Sequence, residues 1–232
     1  MRSLTYNFKR AWHVVSDFVI YGRNQIDRAI RKLVREQHQL TSTTSPDRYP
    51  ELFHEVQVSI DKTVENPSIL SFGCSTGEEC FSLKTYFAKA KLTGVDINNV
   101  NLRKARRKNV SDDITFLYST PENIARHGKY DVIFALSVLC RWEDTKDIED
   151  CSEIYPFEKF AETTQMLADQ VKPVGLFVIY NSNFRFEDTA AAKNFEVVHT
   201  PSVENSGFVH KFDANNHRLR EKHVHCVYRK KG

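Results

Sequence analysis

Short apolar runs alternate along the middle of this chain with longer segments whose apolar residues recur every three or four positions. The apolar runs predict strands at Ser68–Phe72, Lys91–Val95, Ile114–Tyr118, Asp131–Leu136 and Gly175–Tyr180. The amphipathic segments predict helices at Gly77–Lys89, Asn99–Lys108 and Pro156–Val171. Such alternation is typical of an α/β fold in which right-handed crossovers place helices on both faces of a mostly parallel sheet.

The two ends of the chain follow other patterns. Phe195–His199 and His223–Arg229 are strand-like and flank a turn-rich stretch, so they predict a terminal antiparallel pair. Helical spacing also marks the first forty residues, with Gly22 between two predicted helices. Thr41–Pro50 has the composition of a linker. We therefore expect a helical extension over residues 1–45 and a main domain over residues 46–232.

Composition narrows the class of protein. A chain of 232 residues with 41% hydrophobic residues suits one main domain. It has no 18-residue apolar run and no signal-peptide pattern at the start, so we expect a soluble, cytoplasmic protein. Its five cysteines are odd in number and widely spaced, which favours free thiols. Because the cysteine spacing does not suit zinc, the sequence assigns no metal.

Charge is unevenly distributed although the net value is only +3. Residues 1–36 carry eight Lys or Arg against three acids, which suits a solvated helical face first and a nucleic acid or membrane surface second. Arg103–Lys108 is a cationic run on a predicted helix, and Glu143–Glu153 is an acidic loop with six acids and one Lys. Both are interpreted as solvated surfaces, with a partner of opposite charge as the alternative.

A loop of small residues follows the first predicted strand and opens a helix. Gly73 and Gly77 allow the backbone to approach a ligand closely. Asp96 ends the next strand 23 residues after Gly73, near the spacing that places a carboxylate on a ribose diol. A dinucleotide fingerprint and a phosphate-binding Lys are both missing, and the two acids after Gly77 suit a cationic ligand. The pattern therefore indicates a nucleoside site.

These residues resemble the first motif of class I S-adenosylmethionine-dependent methyltransferases, and the run Gly73–Glu79 is most similar to the variant of chemotaxis-type protein-glutamate methyltransferases. Gly94–Ile97, Ile114–Ile124 and Tyr130–Leu139 resemble the second, third and fourth motifs. The resemblance covers Pro67 to Tyr180. It implies a Rossmann-like, doubly wound sheet of seven strands with the last strand antiparallel, and S-adenosylmethionine as cofactor.

The resemblance also implies a set of site residues. The expected cofactor-binding residues are Gly73, Cys74, Ser75, Thr76, Gly77, Asp96, Ile97, Thr120 and Ser137. Two departures stand out: Ser71 occupies the position of an acid that usually lies near the methionine amino group, and Thr120 replaces an acid that commonly contacts adenine. The chemotaxis likeness fades after the loop, because the Arg-Asn-Val that follows the fourth strand in that family is absent here.

The acceptor is expected beyond the carboxyl ends of the fourth and fifth strands, at the topological switch point. Polar and aromatic residues follow these strands, and the substrate candidates are Arg141, Trp142, Tyr180, Asn181 and Asn183. We expect methyl transfer to a small molecule or a protein side chain, with no catalytic residue assigned. Two alternatives stay open: a non-catalytic binding module that docks through its basic N-terminal helices, and an RNA methyltransferase.

Overall fold

Seven strands form one sheet in the computed structural model, which describes residues 38, 39 and 41–232. In chain order they are Ser68–Phe72 (β1), Lys91–Asp96 (β2), Ile114–Tyr118 (β3), Tyr130–Leu136 (β4), Val171–Tyr180 (β5), Phe195–Val197 (β6) and Val227–Lys230 (β7). Their order across the sheet is β3-β2-β1-β4-β5-β7-β6. The order reverses between β1 and β4, and this is the switch point at which such sheets bind ligands.

Pairing within the sheet is parallel from β3 to β5 and antiparallel at β7. β1 pairs in parallel with β2 and with β4, and β4 pairs in parallel with β5. β7 runs antiparallel to both of its neighbours, β5 and β6. The expected Rossmann-like sheet with a reversed last strand is therefore confirmed.

Helices connect the parallel strands and precede the sheet. They are Pro50–Ser59 (α1), Glu78–Tyr86 (α2), Asn99–Lys108 (α3), Pro121–His127 (α4), Trp142–Thr145 (α5) and Phe157–Asp169 (α6). Two 3-10 helices, Phe186–Asp188 and Ala190–Asn194, follow β5. Side-chain caps start two of the helices: Asn98 accepts from backbone N–H groups of α3, and Thr120 does so for α4.

The core lies in two layers, one on each face of the sheet. Along β4, Ile133 and Ala135 pack into one layer while Val132, Phe134 and Leu136 pack into the other. Successive side chains of a strand point to opposite faces, so a strand covered on both sides must be apolar at every position. This explains why the central strands were visible as uninterrupted apolar runs.

Several predicted boundaries differ from those of the structure. α2 ends at Tyr86 and not at Lys89, and β5 begins at Val171, before the predicted Gly175. β7 begins at Val227, whereas the sequence predicted a strand from His223. The sequence did not predict α1 or α4.

The predicted N-terminal helices lie outside the described residues. Within residues 41–232, which pack as one unit, no helix combines the length and apolarity needed to cross a membrane. The five cysteines are all buried and free, as expected.

Candidate functional site

The loop between β1 and α2 has an unusual backbone. Gly73 and Gly77 have φ values of +80° and +93°, and Ser75 between them has +50°. A Cβ on Gly73 would lie 2.4 Å from Cγ2 of Val138, so this position has no room for a side chain. The backbone N–H of Gly77 donates to the carbonyl of Cys74 at 2.9 Å and closes the turn. The loop is therefore a rigid, open backbone cradle at the carboxyl end of β1.

Asp96 lies directly against this loop. Its Oδ2 accepts from the backbone N–H of Ser75 at 2.8 Å, and its Oδ1 accepts from the N–H of Asn98 at 2.7 Å. Partial burial raises the pKa of Asp96, and these two backbone donors partly oppose that effect. Each carboxylate oxygen keeps a further lone pair, which can accept from a ligand hydroxyl. The glycine loop and Asp96, which the sequence paired by their spacing, are thus in contact.

A second carboxylate reaches the loop from the start of α2. Ser71, fully buried on β1, donates its hydroxyl hydrogen to Oε1 of Glu79 at 2.7 Å. Burial raises the pKa of Glu79 to about 7, against the smaller opposing effects of the Ser71 hydrogen bond and the charge of Arg48. A carboxylate two residues after Gly77 therefore lies beside position 71. The sequence predicted only that Glu78 and Glu79 suit a cationic ligand, and not that Glu79 contacts Ser71.

The segment before α1 lies on the same loop, although its composition suggested a linker. The Ser75 hydroxyl donates to the carbonyl of Ser42 at 3.2 Å. The backbone N–H of Asp47 donates to Oγ of Ser82 on α2 at 2.8 Å. Arg48 is close enough to Glu79 to lower its pKa. The strap, defined as residues 42–49, therefore belongs to the site, and the sequence analysis missed it.

The carboxyl ends of β4 and β5 meet beside the strap. Ser137 and Asn181 follow these strands, and both have a φ of +54°. Oγ of Ser137 is 2.7 Å from the hydroxyl oxygen of Tyr49 and accepts from Nδ2 of Asn181 at 2.9 Å. The Tyr49 ring packs edge-on against Tyr180 with centroids 5.1 Å apart. Three predicted site residues thus converge on Tyr49, which the sequence did not predict. They are Ser137, Asn181 and Tyr180.

A cleft of about 360 Å³ opens next to this convergence. Its charged lining comes from Arg48, Glu51 and Glu204, and its aromatic lining from Tyr49, Tyr180 and Phe208. Phe208 is 58% exposed and packs edge-on against Trp142, with centroids 5.1 Å apart. The cleft therefore offers rings, hydrogen-bonding groups and charges of both signs to a polar molecule.

Two of the predicted substrate residues, Asn183 and Arg141, are buried and have partners within the protein. Asn183 is fully buried, and its amide contacts Arg141, Thr145 and His210. Arg141 is also buried, and its Nε contacts Oδ2 of Asp144 at 2.9 Å. These partners fix Asn183 and Arg141 inside the protein.

Three other predicted cofactor residues have local roles. The hydroxyl of Thr120 caps α4 by accepting from the N–H of Asn123 at 3.1 Å, and that of Thr76 donates to Glu78. Cys74 is buried beneath the loop, and its hydrogen bond with Cys80 together with burial raises the pKa of its thiol well above the usual value. Ile97 is 40% exposed just after Asp96.

Comparison with known proteins points to one activity class. A family profile described as "Methyltransferase domain" matches residues 70–151. A malonyl-[acyl-carrier protein] O-methyltransferase from Anoxybacillus flavithermus is 27% identical over 112 residues, which cover 47% of this chain and 43% of that protein. The match thus spans less than half of that relative. It supports the S-adenosylmethionine-dependent activity expected from the motifs.

Solved structures of low identity share parts of the fold. TehB from Haemophilus influenzae is 15% identical, with a TM-score of 0.48 over 77% of this chain and 62% of its own. CalS10, an amino pentose methyltransferase from Micromonospora echinaspora bound to SAM, is 12% identical, with a TM-score of 0.42 over 59% of this chain and 50% of its own. At these scores the likeness carries no argument about substrate.

Proposed function

We propose that this chain binds S-adenosylmethionine on the β1–α2 loop and catalyses methyl transfer to a small molecule or a protein side chain held in the cleft beside Tyr49. The observation that carries the proposal is the pair of carboxylates that flank one glycine cradle. Asp96 lies on one side of Ser75, and Glu79 lies behind Ser71. An adenosine with an attached cationic amino acid presents a diol and an ammonium group, which these two carboxylates match.

The open backbone of the loop fits this cofactor. A Cβ at Gly73 or Gly77 would come within 2.9 Å of a neighbouring side chain, so the tight turn of the loop requires glycine at both positions. When bound, the cofactor supplies an electrophilic methyl group on sulfur, and the displacement is in-line. The proposal assigns Asp96 to the ribose hydroxyls, Glu79 to the methionine ammonium and Arg48 to the methionine carboxylate.

The contribution of the protein to the reaction is alignment and exclusion of water. The hydrogen bonds of Ser137 to Tyr49 and Asn181 fix the rim where the cofactor half meets the cleft. Rings of Tyr49, Tyr180 and Phe208 would orient an acceptor and strip water from it. Methyl transfer needs no obligatory side-chain chemistry, so we assign no general base.

The other proposals receive less support. The glycine motif keeps its resemblance to chemotaxis-type enzymes, but the cleft does not select a glutamate acceptor. In the basic run of α3, Arg106 donates to the carbonyl of Phe116 and Lys108 pairs with Glu78, so two of its five cations serve the fold. An RNA acceptor would instead be expected to use the exposed Arg103, Lys104 and Arg107. Five free, buried thiols suit a reducing compartment such as the cytoplasm.

Calorimetric titration with S-adenosylhomocysteine tests the proposal. The wild type is expected to bind one molecule per chain, and Asp96→Ala to lose affinity by about tenfold or more, because one charge-assisted hydrogen bond is worth roughly 1.5–3 kcal/mol. Asp112→Ala is the matched control, since Asp112 is exposed and lies away from the loop. The proposal fails if the wild type does not bind, or if Asp96→Ala binds as tightly as Asp112→Ala. Absence of binding by a folded wild type would favour the non-catalytic module.

A further inference from the structure

We propose that Glu187, His223 and His225 form a binding site for one divalent transition-metal ion, with zinc as the best-matched ion. This group lies apart from the glycine loop. It lies beside the segment between β6 and β7, which lines part of the cleft. The sequence spacing of the cysteines predicted no metal site, and the sequence analysis assigned no role to the histidines near the end of the chain. The structure brings two of these histidines to one carboxylate, and the three side chains together form a possible set of metal ligands.

The three side chains converge on one point. Oε1 of Glu187 lies 3.0 Å from Nε2 of His223 and 2.7 Å from Nδ1 of His225. All three ligand atoms lie within 4.8 Å of one another, and this is the only such group of three or more potential ligands found in residues 38, 39 and 41–232. Ligands of a tetrahedral zinc ion, at bonds of about 2.0–2.1 Å, are separated by about 3.3 Å. To admit the ion, Oε1 would move away from the two nitrogens by about 0.3 and 0.6 Å, and the nitrogens, which lie within 4.8 Å of each other, would adjust to the same separation.

Outer hydrogen bonds already hold two of the ligands in a binding orientation. Nδ1 of His223 is 2.9 Å from Oγ of Ser206, and the tautomer that donates there has its lone pair on Nε2, facing Glu187. The hydroxyl of Tyr228 donates to Oε2 of Glu187 at 2.8 Å, which leaves Oε1 toward the histidines. Metal-binding histidines and carboxylates in proteins are oriented by outer contacts of this kind.

The donor set selects the class of ion. Two imidazoles and one carboxylate suit zinc, which takes four ligands in tetrahedral geometry, whereas magnesium and calcium prefer oxygen alone. The side chain of His223 is 12% exposed and that of His225 is 47% exposed, so one side of the site is open to a water as the fourth ligand. His223 and His225 alternate in an extended stretch, which places both on the same side of the chain.

An ion here would stabilise the wall of the cleft. Residues 198–226, between β6 and β7, contain no helix or strand, and this segment supplies Ser202–Asn205 and Phe208 to the cleft. Ser206, the partner of the His223 ring, accepts with its backbone carbonyl from the N–H of Asn181 at 2.8 Å. The ion would tie this long segment to the 3-10 helix after β5, and such closure of a long loop stabilises a fold.

The same contacts would also occur without a metal if Nε2 of His223 and Nδ1 of His225 each carried a hydrogen and donated it to Glu187. The test uses the full chain, stripped with a chelator, dialysed and titrated with zinc chloride in a calorimeter. We expect one zinc ion per chain and a higher melting temperature with zinc. Glu187→Gln and His225→Gln should each weaken zinc binding by at least tenfold, because each removes one direct ligand. Cobalt(II) in place of zinc should give a visible spectrum with imidazole and carboxylate ligation.

His217→Ala is the matched control, since His217 lies in the same segment, is exposed and has Asp150 at 3.8 Å as its ion-pair partner. It should bind zinc like the wild type. If Glu187→Gln unfolds because one amide oxygen cannot serve both Tyr228 and the two histidines, His225→Gln, whose side chain is half exposed, tests the ligand set alone. The inference is overturned if the stripped protein takes up no zinc, or if both Gln variants bind it as the His217→Ala variant does.

Discussion

The glycine loop and the cleft beyond β5 lie at the same edge of the sheet, but their residues come from very different distances along the chain. The loop, Glu79 and Asp96 lie within 24 residues of one another, between Gly73 and Asp96. The cleft joins Tyr49, Asn181 and Phe208, which together span more than 150 residues of sequence. Apart from Arg48, the proposed cofactor half is thus a local structure, whereas the acceptor half exists only after the strap and the long β6–β7 segment have packed.

The largest effect is expected from Gly73→Ala. A residue with a Cβ pays about 1–2 kcal/mol at positive φ, and the overlap with Val138 adds about 1–3 kcal/mol. The free energy of unfolding should therefore fall by about 2–5 kcal/mol, as measured by urea denaturation. In the background of Val138→Ala the loss should be smaller, because the contact with Cγ2 at 2.4 Å is removed and only that with Cβ at 2.8 Å remains. A loss below about 0.5 kcal/mol in the wild-type background would mean that the loop is not a fixed cradle.

The pH dependence of cofactor binding is expected to be intermediate in size. Because the pKa of Glu79 in the free protein is about 7, the carboxylate is mostly protonated at pH 6 and mostly charged at pH 8. A ligand whose ammonium needs the charged form should bind about tenfold more tightly at pH 8 than at pH 6. Glu79→Gln keeps an acceptor for Ser71 and should abolish this dependence in calorimetric titrations with S-adenosylhomocysteine. A dependence that survives in Glu79→Gln would assign it to another group.

Stability of the free protein should change with pH in the opposite sense. The raised pKa means that the folded state binds this proton more tightly than the unfolded state does. The contribution of Glu79 to stability is therefore present below pH 4.5 and is lost as the pH rises toward 7.

The smallest effect is expected from Phe208→Ala. The ring is 58% exposed and touches Trp142 and the cleft, while its backbone N–H, which donates to Asn181, is retained. The free energy of unfolding should change by no more than about 0.5 kcal/mol, and S-adenosylhomocysteine should bind within about twofold of the wild type. Its affinity is measured beside that of Asp112→Ala. A tenfold loss would show that the two halves of the site are not independent.

The same contrast between local and distant parts of the chain explains which features the sequence predicted and which it missed. β4 is buried at every position and appears as a continuous apolar run, so it was placed within one residue of its observed bounds. The pairing of Gly73 with Asp96 followed from spacing alone, because consecutive strands of such a sheet lie side by side. The strap was mistaken for a linker, because backbone groups of Ser42 and Asp47 hold it against serine hydroxyls of the loop and of α2, and such contacts leave no apolar periodicity.

The role of Glu79 was hidden for a related reason. Under the proposed function its carboxylate replaces the acid expected at position 71, and its contact with Ser71 depends on how the helix packs beside β1, which spacing along the sequence does not reveal. The extra length assigned to β7 has a local cause as well. His223 and His225 have the spacing of a strand, but their side chains are used in contacts with Glu187 and Ser206, and ladder pairing starts only at Val227.

The position of the strap decides which truncated fragments keep all the residues of the proposed site. Residues 70–151, the part that resembles a methyltransferase domain, contain the loop and Asp96 but not Arg48 or Tyr49. A truncated chain that begins at Ser68 would keep every strand of the sheet. It would nevertheless lack the hydroxyl that meets Ser137 and the cation beside Glu79. A fragment for cloning and crystallisation should therefore include the strap, which begins about 26 residues before the first strand.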